Sequence, residues 1–592
     1  MTKRIYVTPL LVSCLWGAAQ HRISVDRFVP TAIYIYTANA DGTGEKALLT
    51  ERPGELDYNP SFSADGKWIV FTSERDGSAD LYRVKPDGTG LERLTDNPAY
   101  DDQATFSPDG KKIMFVSSRE GGHSNLWLLD VATHKTSRLT KGEWGDFRPA
   151  YSPDGRWIAF TSDRQTPYET AKERWEQAHL LDVYVMRPDG SGMRRVTQPG
   201  KFCGSPKWSH DGKTLAVYCM TGTDTFWNRS SFPSGKSQLF SVDVATGAMT
   251  ELAGSPGVNM SPNFVGADVG YVRKDLAAPG IYYTSGKTGP KGTVRSPSWT
   301  PDGTKVVYQK MISNERINGR KFWSREPDFE LVGSSENPNF NATGDKVLAS
   351  QNEKGLWVLK MVDTQTWKES VLYRAPGKST MNGQFSPSGD SIIFGVGSFF
   401  SNRFVSKLDG AQLAMIKPDG SGYQELTSGA NNNNFPSFSP DGSQIVYRTT
   451  GPEGQGLRVM NLVDHSIRKI TDGADNFPGW SHRGDLIVFT RFLDNQNFEV
   501  FTVKPDGTGE RRLTNTQANE GHAVWSPDGE WILFLSTRMG FKDEVVYLDG
   551  QQPQGELFIM KYDGTGLRQL TDNQWEDGMA AWWPEPVKTS SR

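Results

Sequence analysis

The sequence predicts an all-β fold built from repeated four-stranded antiparallel sheets. A strand–turn–strand unit with the turn Ser-Pro-Asp-Gly, or a close variant of it, recurs along nearly the whole chain. A second hairpin with the turn Pro-Asp-Gly-Thr-Gly follows many copies of the first. The 61 glycines, 34 prolines and 11% aromatic residues fit many short strands joined by tight turns.

The stretch from Ala104 to Ser118 shows why one unit forms a hairpin. It holds two short β-prone runs on either side of a three-residue turn. Pro108 presets the backbone φ of the first turn position, Asp109 can bond to its own backbone, and Gly110 accepts a left-handed conformation. First strands of this kind begin near Pro60, Ala104, Pro149, Pro206, Pro262, Pro297, Pro338, Gly383, Pro436, Pro478, Ala523 and Ala580.

The second hairpin completes each repeat. An apolar strand such as Leu81–Val84 leads to the turn, and a short strand ends in Arg93-Leu94-Thr95. Each repeat therefore supplies four strands in roughly 40–60 residues, which is typical of a β-propeller blade. One such sheet has an apolar face that it cannot bury alone, and stacking blades around an axis buries it.

The repeats resemble those of a known family. The segments FSPDGKKIMF, YSPDGRWIAF and WSPDGEWILF, with the later KPDGTG and RLT, are similar to TolB-type propeller repeats, often called PD40. The resemblance extends from Ile33 to Trp583 and includes the propeller of dipeptidyl-peptidase-like proteins. It implies the fold and leaves the function open, because propellers host both binding proteins and enzymes. Since the repeats leave no room for the separate domain that precedes the propeller in TolB, we do not expect the Tol-system role to carry over.

Peptidase activity is not expected from this resemblance. The sequence contains no Gly-x-Ser-x-Gly nucleophile elbow, and the repeats leave no stretch for a hydrolase domain.

Twelve blades exceed the usual four to eight of one ring, so we predict two propellers of about six blades each. The predicted N-terminal propeller covers residues 26–310, the C-terminal propeller covers residues 311–584, and residues 585–592 form a tail. In this interpretation Ile33–Thr50 supplies the third and fourth strands of the blade that begins at Pro297. The second ring starts at Phe329–Val332 and closes with Ala580–Trp583. In the alternative, the two chain termini close one ring, the second ring is inserted within it, and Ile35 contacts Trp582.

The N-terminus indicates secretion into the periplasm or the extracellular space. In residues 1–19, Lys3 and Arg4 precede the apolar stretch Ile5–Trp16, and Gly17-Ala18-Ala19 resembles a cleavage site. The alternative is a disordered or packed N-terminal arm.

The cysteines and two asparagines fit an oxidising compartment. Cys14 would leave with the signal, and Cys203 and Cys219 flank one hairpin, so that either a disulfide or two free thiols is consistent with their placement. Asn228 and Asn341 each begin a triplet of the kind used for N-glycosylation.

Charge and hydropathy exclude two classes of partner. The chain carries 65 basic and 69 acidic residues, which leaves no electrostatic footprint for nucleic acid. No apolar run is long enough to span a bilayer.

The candidate site lies on the long connections between second and third strands, which are Asp163–Leu181, Met220–Gln238, Gly395–Ala411 and Ser536–Glu556. These connections leave the blades on the side opposite the short repeated turns, where loops on a rigid scaffold commonly bind ligands. Two of them, Asp163–Leu181 and Met220–Gln238, lie on neighbouring blades and mix aromatic with charged residues, as sugar and peptide sites do. The predicted ligand-binding residues are Arg148, Trp175, Glu176, Asp224 and Trp227. The alternative is a solvated, partly helical loop.

Two classes of function follow. The first is a secreted, non-catalytic binding protein for a polysaccharide, a peptide or a protein. The second is a carbohydrate-active enzyme, either a lyase with His179 as base beside Arg164 or Arg229, or a glycosidase with Asp146 and Glu173 as its carboxylates. An enzyme of small-molecule metabolism is a third possibility, for which the sequence identifies no residues.

Polar residues are expected to surround each channel where the chain enters the innermost strands. They could hold Ca²⁺, or they could bind water and backbone N–H groups; no other cofactor is predicted. These residues are Asp57, Asp102, Asp146, Arg148, Asn259, Asn382, Asn433, Asp475, Glu520, His522 and Asp577.

Overall fold

The computed structural model confirms the predicted all-β fold. It describes residues 20–166, 181–198, 201–221, 236–252, 257–274, 277–312, 318–397, 410–493, 497–544 and 555–584. Within these ranges the chain forms 48 strands, numbered here in chain order, which pair into twelve four-stranded sheets. The contacts between sheets run in two closed circuits of six, which we name ring one and ring two. This arrangement is compatible with the two predicted propellers.

Ring one contains the strands from the first half of the chain. They are β2 (Ile33–Asn39), β3 (Lys46–Ala47), β4 (Asp57–Phe62), β5 (Ile69–Ser73), β6 (Asp80–Val84), β7 (Glu92–Arg93), β8 (Asp101–Phe106), β9 (Lys112–Ser117), β10 (Asn125–Asp130), β11 (Thr136–Arg138), β12 (Asp146–Tyr151), β13 (Ile158–Ser162), β14 (Asp182–Met186), β15 (Arg194–Arg195), β16 (Lys201–Trp208), β17 (Thr214–Thr221), β18 (Gln238–Asp243), β19 (Met249–Glu251), β20 (Val258–Val265), β21 (Asp268–Lys274), β22 (Gly280–Tyr283), β23 (Thr288–Lys291), β24 (Val294–Trp299) and β25 (Lys305–Met311).

Ring two contains the remaining strands, including the first one of the chain. They are β1 (His21–Phe28), β26 (Lys321–Phe322), β27 (Phe329–Gly333), β28 (Glu336–Phe340), β29 (Lys346–Glu353), β30 (Leu356–Asp363), β31 (Glu369–Tyr373), β32 (Ser379–Phe385), β33 (Ile392–Gly397), β34 (Gln412–Ile416), β35 (Gln424–Glu425), β36 (Asn432–Phe438), β37 (Gln444–Thr450), β38 (Gly456–Asn461), β39 (Ile467–Lys469), β40 (Ala474–Trp480), β41 (Ile487–Phe492), β42 (Phe498–Val503), β43 (Arg511–Arg512), β44 (Glu520–Trp525), β45 (Trp531–Ser536), β46 (Glu556–Lys561), β47 (Arg568–Gln569) and β48 (Glu576–Trp582).

Ten sheets use four consecutive strands, whereas each ring is closed by a sheet of mixed origin. In ring one the order β24–β25–β2–β3 pairs Ile35 with Gln309, which is the pairing predicted for Ile33–Thr50. In ring two the order is β48–β1–β27–β26, with Ile23 opposite Trp582. The sequence analysis assigned no role to β1, which lies antiparallel to β48 and parallel to β27.

The two termini of the chain therefore meet in ring two, and β2–β25 form an inserted ring. This connectivity differs from both sequence-based alternatives. The domain bounds 26–310 and 311–584 stay a prediction; a division along the circuits would place residues 21–28 with ring two.

The first hairpin of each repeat folds as its turn residues predict. In the unit at Ala104, Gly110 has a φ of 69°, and the Asp109 carboxylate accepts a hydrogen bond from the Lys111 N–H at 3.1 Å. The Ser107 hydroxyl donates to the same carboxylate at 2.7 Å. The turn is thus closed by local side-chain bonds, which explains why the sequence reveals it.

A backbone irregularity occurs in nearly every innermost strand. In eleven of the twelve, one non-glycine residue has a φ between 47° and 57°, at the point where the pairing register with the second strand shifts. We call these the axial residues: Asn59, Gln103, Arg148, Ser205, Ser261, Ser296, Asn337, Asn382, Phe435, Phe477 and His522. A bulge of this kind redirects a side chain, and here axial residues from different sheets contact one another.

One covalent link lies in ring one. Cys203 of β16 and Cys219 of β17 are directly paired, their Cα atoms are 4.1 Å apart, and they form a disulfide. Of the two open alternatives, the structure therefore has the disulfide.

The two rings contact each other through an apolar cluster. Trp575, which precedes β48 of ring two, packs with Tyr58, Leu56 and Tyr100 of ring one. The Trp575 indole N–H also donates to Glu74 at 2.7 Å. The side chain of Trp575 is 9% exposed, so this contact is part of the protein interior.

Candidate functional site

The candidate site is the axis of ring one, where a segment from ring two enters. This inserted segment, Phe541–Glu544, belongs to the connection between β45 and β46, one of the four long connections singled out in the sequence. None of its four residues lies in a strand, yet their side chains are only 0–7% exposed.

Side chains of ring one hold the backbone of the inserted segment. The Gln103 amide N–H donates to the Lys542 carbonyl at 2.9 Å, and the Ser124 hydroxyl donates to the Phe541 carbonyl at 2.8 Å. Gln103 is itself oriented, because its side-chain oxygen accepts the Arg148 backbone N–H at 2.8 Å. These bonds recognise main-chain carbonyls, whatever the side chains of the segment are.

Arg148 binds the first acidic side chain of the segment. Its guanidinium forms a two-pronged ion pair with Asp543, with Nε 3.0 Å from Oδ1. The Nη1 group also donates to Asn59 and Ser296, both at 3.1 Å, so that axial residues of three sheets meet here. Burial would lower the pKa of Arg148, but the neighbouring Asp543 carboxylate outweighs burial and raises it.

Glu544 is the second acidic side chain, and it fits less well. Ser205 donates to one carboxylate oxygen, whereas the other, Oε2, is buried without a hydrogen-bond partner. Burial and the nearby Asp543 charge raise the pKa of Glu544 to about 7. Close by, burial and Arg148 lower the pKa of Lys207 to about 8.

The segment is also anchored in its own ring. The Lys542 ammonium group lies 2.6 Å from Asp572, which also pairs with Arg325 at 2.8 Å. Asp572 accepts a further hydrogen bond from Ser118 of ring one at 2.6 Å. The connection thus joins the rings through charge pairs on both sides.

Two of the predicted catalytic residues belong to a repeated structural pair. Asp146 lies at the start of an innermost strand, and its carboxylate is 2.7 Å from the Arg164 guanidinium. The same guanidinium lies over the ring of Phe160. Four other sheets have the same arrangement of an acid, an arginine and a phenylalanine. These are Asp57–Arg75–Phe71, Asp101–Arg119–Phe115, Asp475–Arg491–Phe489 and Glu520–Arg538–Phe534.

This repetition indicates that the Asp146–Arg164 pair stabilises its blade; the predicted catalytic role remains a prediction. Of the other predicted residues, Arg148 lies at the axis as described. The rest, Glu173, Trp175, Glu176, His179, Asp224, Trp227 and Arg229, lie outside the described residues, as do Asn228, residues 1–19 and the tail 585–592.

Sequence reasoning missed the residues that bind the inserted segment. Gln103, Ser124 and Ser205 carry no recognisable motif, and Asp543 and Glu544 were noticed only as part of a long connection. The position of the axial residue within the repeat is a usable signal, because each of the eleven lies three residues before an aromatic residue of the first strand.

The axis of ring two has a different chemistry. The rings of Phe435 and Phe477 have centroids 4.2 Å apart, and His522 lies 4.3 Å beyond Phe477. Burial lowers the pKa of His522 to about 4, so that its imidazole is neutral at physiological pH. On the same axis, the Asn382 amide donates to Asn434 at 3.3 Å.

The described part of the chain shows neither a metal-binding cluster nor a membrane-spanning helix. Those residues contain no cluster of three or more His, Cys, Asp or Glu side chains suited to a metal ion, and the calcium site stays a prediction. In the same ranges, no helix is both long and apolar enough to cross a bilayer.

Twelve four-stranded sheets in two closed circuits, with side chains converging on each axis, define a protein of the β-propeller class. A family model described as the TolB beta propeller domain, PD40, matches residues 22–121, 102–229 and 404–547. These matches cover more than half of the chain, which therefore belongs to the TolB β-propeller family. The resemblance noted in the repeats is thus confirmed.

Two curated relatives match parts of the chain. A protein TolB homolog of Chlorobium luteolum is 32% identical over 170 residues, which are 28% of this chain and 36% of that protein. The Tol-Pal system protein TolB of Gluconobacter oxydans is 28% identical over 203 residues, 26% of this chain and 42% of that protein. The chain thus spans less than half the length of these relatives.

Two solved structures align with parts of the chain. TolB from Acinetobacter baumannii aligns with 65% of this chain and 84% of its own, at 14% identity and a TM-score of 0.35. The tricorn protease aligns with 89% of this chain and 62% of its own, at 12% identity and a TM-score of 0.39.

Proposed function

We propose that this chain is a secreted interaction protein that binds an extended polypeptide segment of a partner at the axis of ring one. The inserted segment is the observation that carries the proposal, because ring one holds four residues of non-strand polypeptide there. Two main-chain carbonyls and two carboxylates are recognised by side chains from three different sheets, which is the chemistry of peptide recognition.

Membership of the TolB β-propeller family supports an interaction role. The described site also offers hydrogen-bond donors and a cation, since Asn59, Gln103, Arg148 and Ser205 line the ring-one axis. These groups suit the carbonyls and carboxylates of a polypeptide. The carbohydrate-active alternative, with His179 and its partners, stays a prediction.

The proposal can be tested by probing peptide and glycan arrays with the purified full chain. We expect binding to a subset of peptides and none to neutral glycans. Binding to glycans alone would contradict the proposal, and release of an ultraviolet-absorbing product from uronic-acid polymers would favour the lyase alternative. Secretion is tested separately by N-terminal sequencing of exported protein, which we expect to begin at residue 20.

A further inference from the structure

We infer that the axis of ring one selects an acidic segment of its partner, and that the chain's own Phe541–Glu544 occupies this site until such a segment displaces it. The inference rests on the proposed function and adds the charge of the partner and the competition within the chain. It follows from the charge of the site, from the way the backbone is held and from the imperfect fit of Glu544.

Charge complementarity sets the chemistry of the occupant. Arg148 and Lys207 are the cations beside the inserted segment, and they face Asp543 and Glu544. Asp102 also lies at the ring-one axis. Its carboxylate accepts hydrogen bonds from Asn59 at 2.7 Å and from Thr72 at 2.6 Å, and these bonds stabilise its negative charge. The Asp543 carboxylate is the counter-ion of Arg148, so an occupant without a carboxylate at that position would leave Arg148 buried without its counter-ion.

The backbone contacts do not depend on the particular sequence. Gln103 and Ser124 bind main-chain carbonyls, which every polypeptide has. Selectivity must therefore come from the Arg148 ion pair and from the space around Glu544. That space is limited by Gly204, since a Cβ atom added there would lie 2.5 Å from Glu544 Oε2.

The segment is held in a way that permits exchange. It forms no β-sheet pairing with a strand of either ring, so its release breaks contacts with side chains but leaves every sheet intact. Glu544 is buried with one oxygen unpaired beside the Asp543 charge, and its raised pKa reports this unfavourable placement. A partner segment that places its second carboxylate better would compete with it.

The test uses the full chain carrying Asp543→Asn and Glu544→Gln, which weakens the internal segment and leaves ring one intact. The probe is a fluorescent eight-residue peptide with the sequence of residues 537–544, TRMGFKDE, followed by anisotropy. We expect it to bind the double variant at least tenfold more tightly than the wild type. The peptide TRMGFKNQ, which lacks both carboxylates, should bind the double variant at least tenfold more weakly than TRMGFKDE.

A steric pair of variants locates the site. Adding Gly204→Ala to the double variant should weaken peptide binding at least tenfold, because the new methyl group takes the place of the glutamate oxygen. Gly521→Ala is the matched control: it precedes the axial residue His522 just as Gly204 precedes Ser205, and its nearest neighbour, Thr490 Cγ2, is 3.9 Å away. The control should leave the affinity unchanged.

Other outcomes separate the two proposals. Equal binding of TRMGFKDE and TRMGFKNQ would overturn acid selectivity and leave the proposed function standing. Failure of the folded double variant to bind either peptide would overturn the inference, and a blank peptide array would overturn the proposed function as well. If the double variant does not fold, hydrogen exchange on the wild type decides: excess TRMGFKDE should speed exchange in residues 541–544, and no acceleration overturns the inference.

Discussion

Replacing Arg164 with methionine tests whether the Asp146–Arg164 pair is structural. Methionine keeps most of the aliphatic contact with Phe160 but leaves the Asp146 carboxylate, which is fully buried, without its cation. Breaking a buried pair in this way typically costs about 3–5 kcal/mol of unfolding free energy. Arg119→Met removes the equivalent cation beside Asp101 and should have an effect of the same size.

The matched control is Arg483→Met. Arg483 pairs with Glu530 at 2.8 Å, but the two side chains are 36% and 51% exposed, so the loss should be about 0–1 kcal/mol. Unfolding is followed by hydrogen exchange in the affected sheet, because a chain with two rings need not unfold in one step.

The pH dependence has a definite sign. Burial raises the pKa of Asp146, whereas Arg164 lowers it, so removing Arg164 raises the pKa further. In the folded Arg164→Met chain, Asp146 then binds a proton more readily than it does in the unfolded chain, so the stability of the variant rises as the pH falls. The loss of unfolding free energy caused by Arg164→Met should therefore be smaller at pH 5 than at pH 8. A stability loss no greater than that of Arg483→Met would refute the structural interpretation and favour the catalytic one.

Three further predictions concern the links within and between the rings. Reducing the Cys203–Cys219 disulfide, which closes a loop of about 15 residues, should cost about 3 kcal/mol of unfolding free energy. The loss is measured by urea titration with and without reductant. An equal response to reductant in a Cys203→Ser/Cys219→Ser chain would contradict this prediction. Trp575→Ala removes a large buried side chain from the contact between the rings and should cost about 3–5 kcal/mol in calorimetry, against little for Tyr562→Ala, which is 38% exposed. The pKa of Glu544 is raised to about 7, so its contribution to stability is complete below its unfolded pKa and is lost as the pH rises through 7. Glu544→Gln should abolish this pH dependence of stability between pH 5 and 8. Identical stability–pH profiles for the wild type and the variant would argue against the burial of Glu544.

The candidate site could be predicted only in part. The sequence drew attention to Arg148 and to the connection after Ser536, because one is a charge entering an inner strand and the other an unusually long loop. Their contact could not be foreseen, since the two partners are 395 residues apart and nothing local to either specifies the other. Asp146 and Arg164 were predicted in two separate catalytic alternatives, and their pairing with each other, like its four counterparts, became visible only in the folded sheets.

The sequence by itself determined the all-β fold, the four-stranded repeat and the position of its turns, since bonds such as Ser107–Asp109 form within a few residues and do not depend on the rest of the chain. Only the tertiary structure decided how the rings close and what fills the axis of ring one. Strand β1 joins β48 across more than 550 residues, and Phe541–Glu544 reaches a different ring from the one that contains its flanking strands. These long-range contacts form between apolar surfaces and charged groups that local hydrogen bonds leave unsatisfied. The two partners of each contact lie far apart in the chain, so no local sequence pattern predicts them.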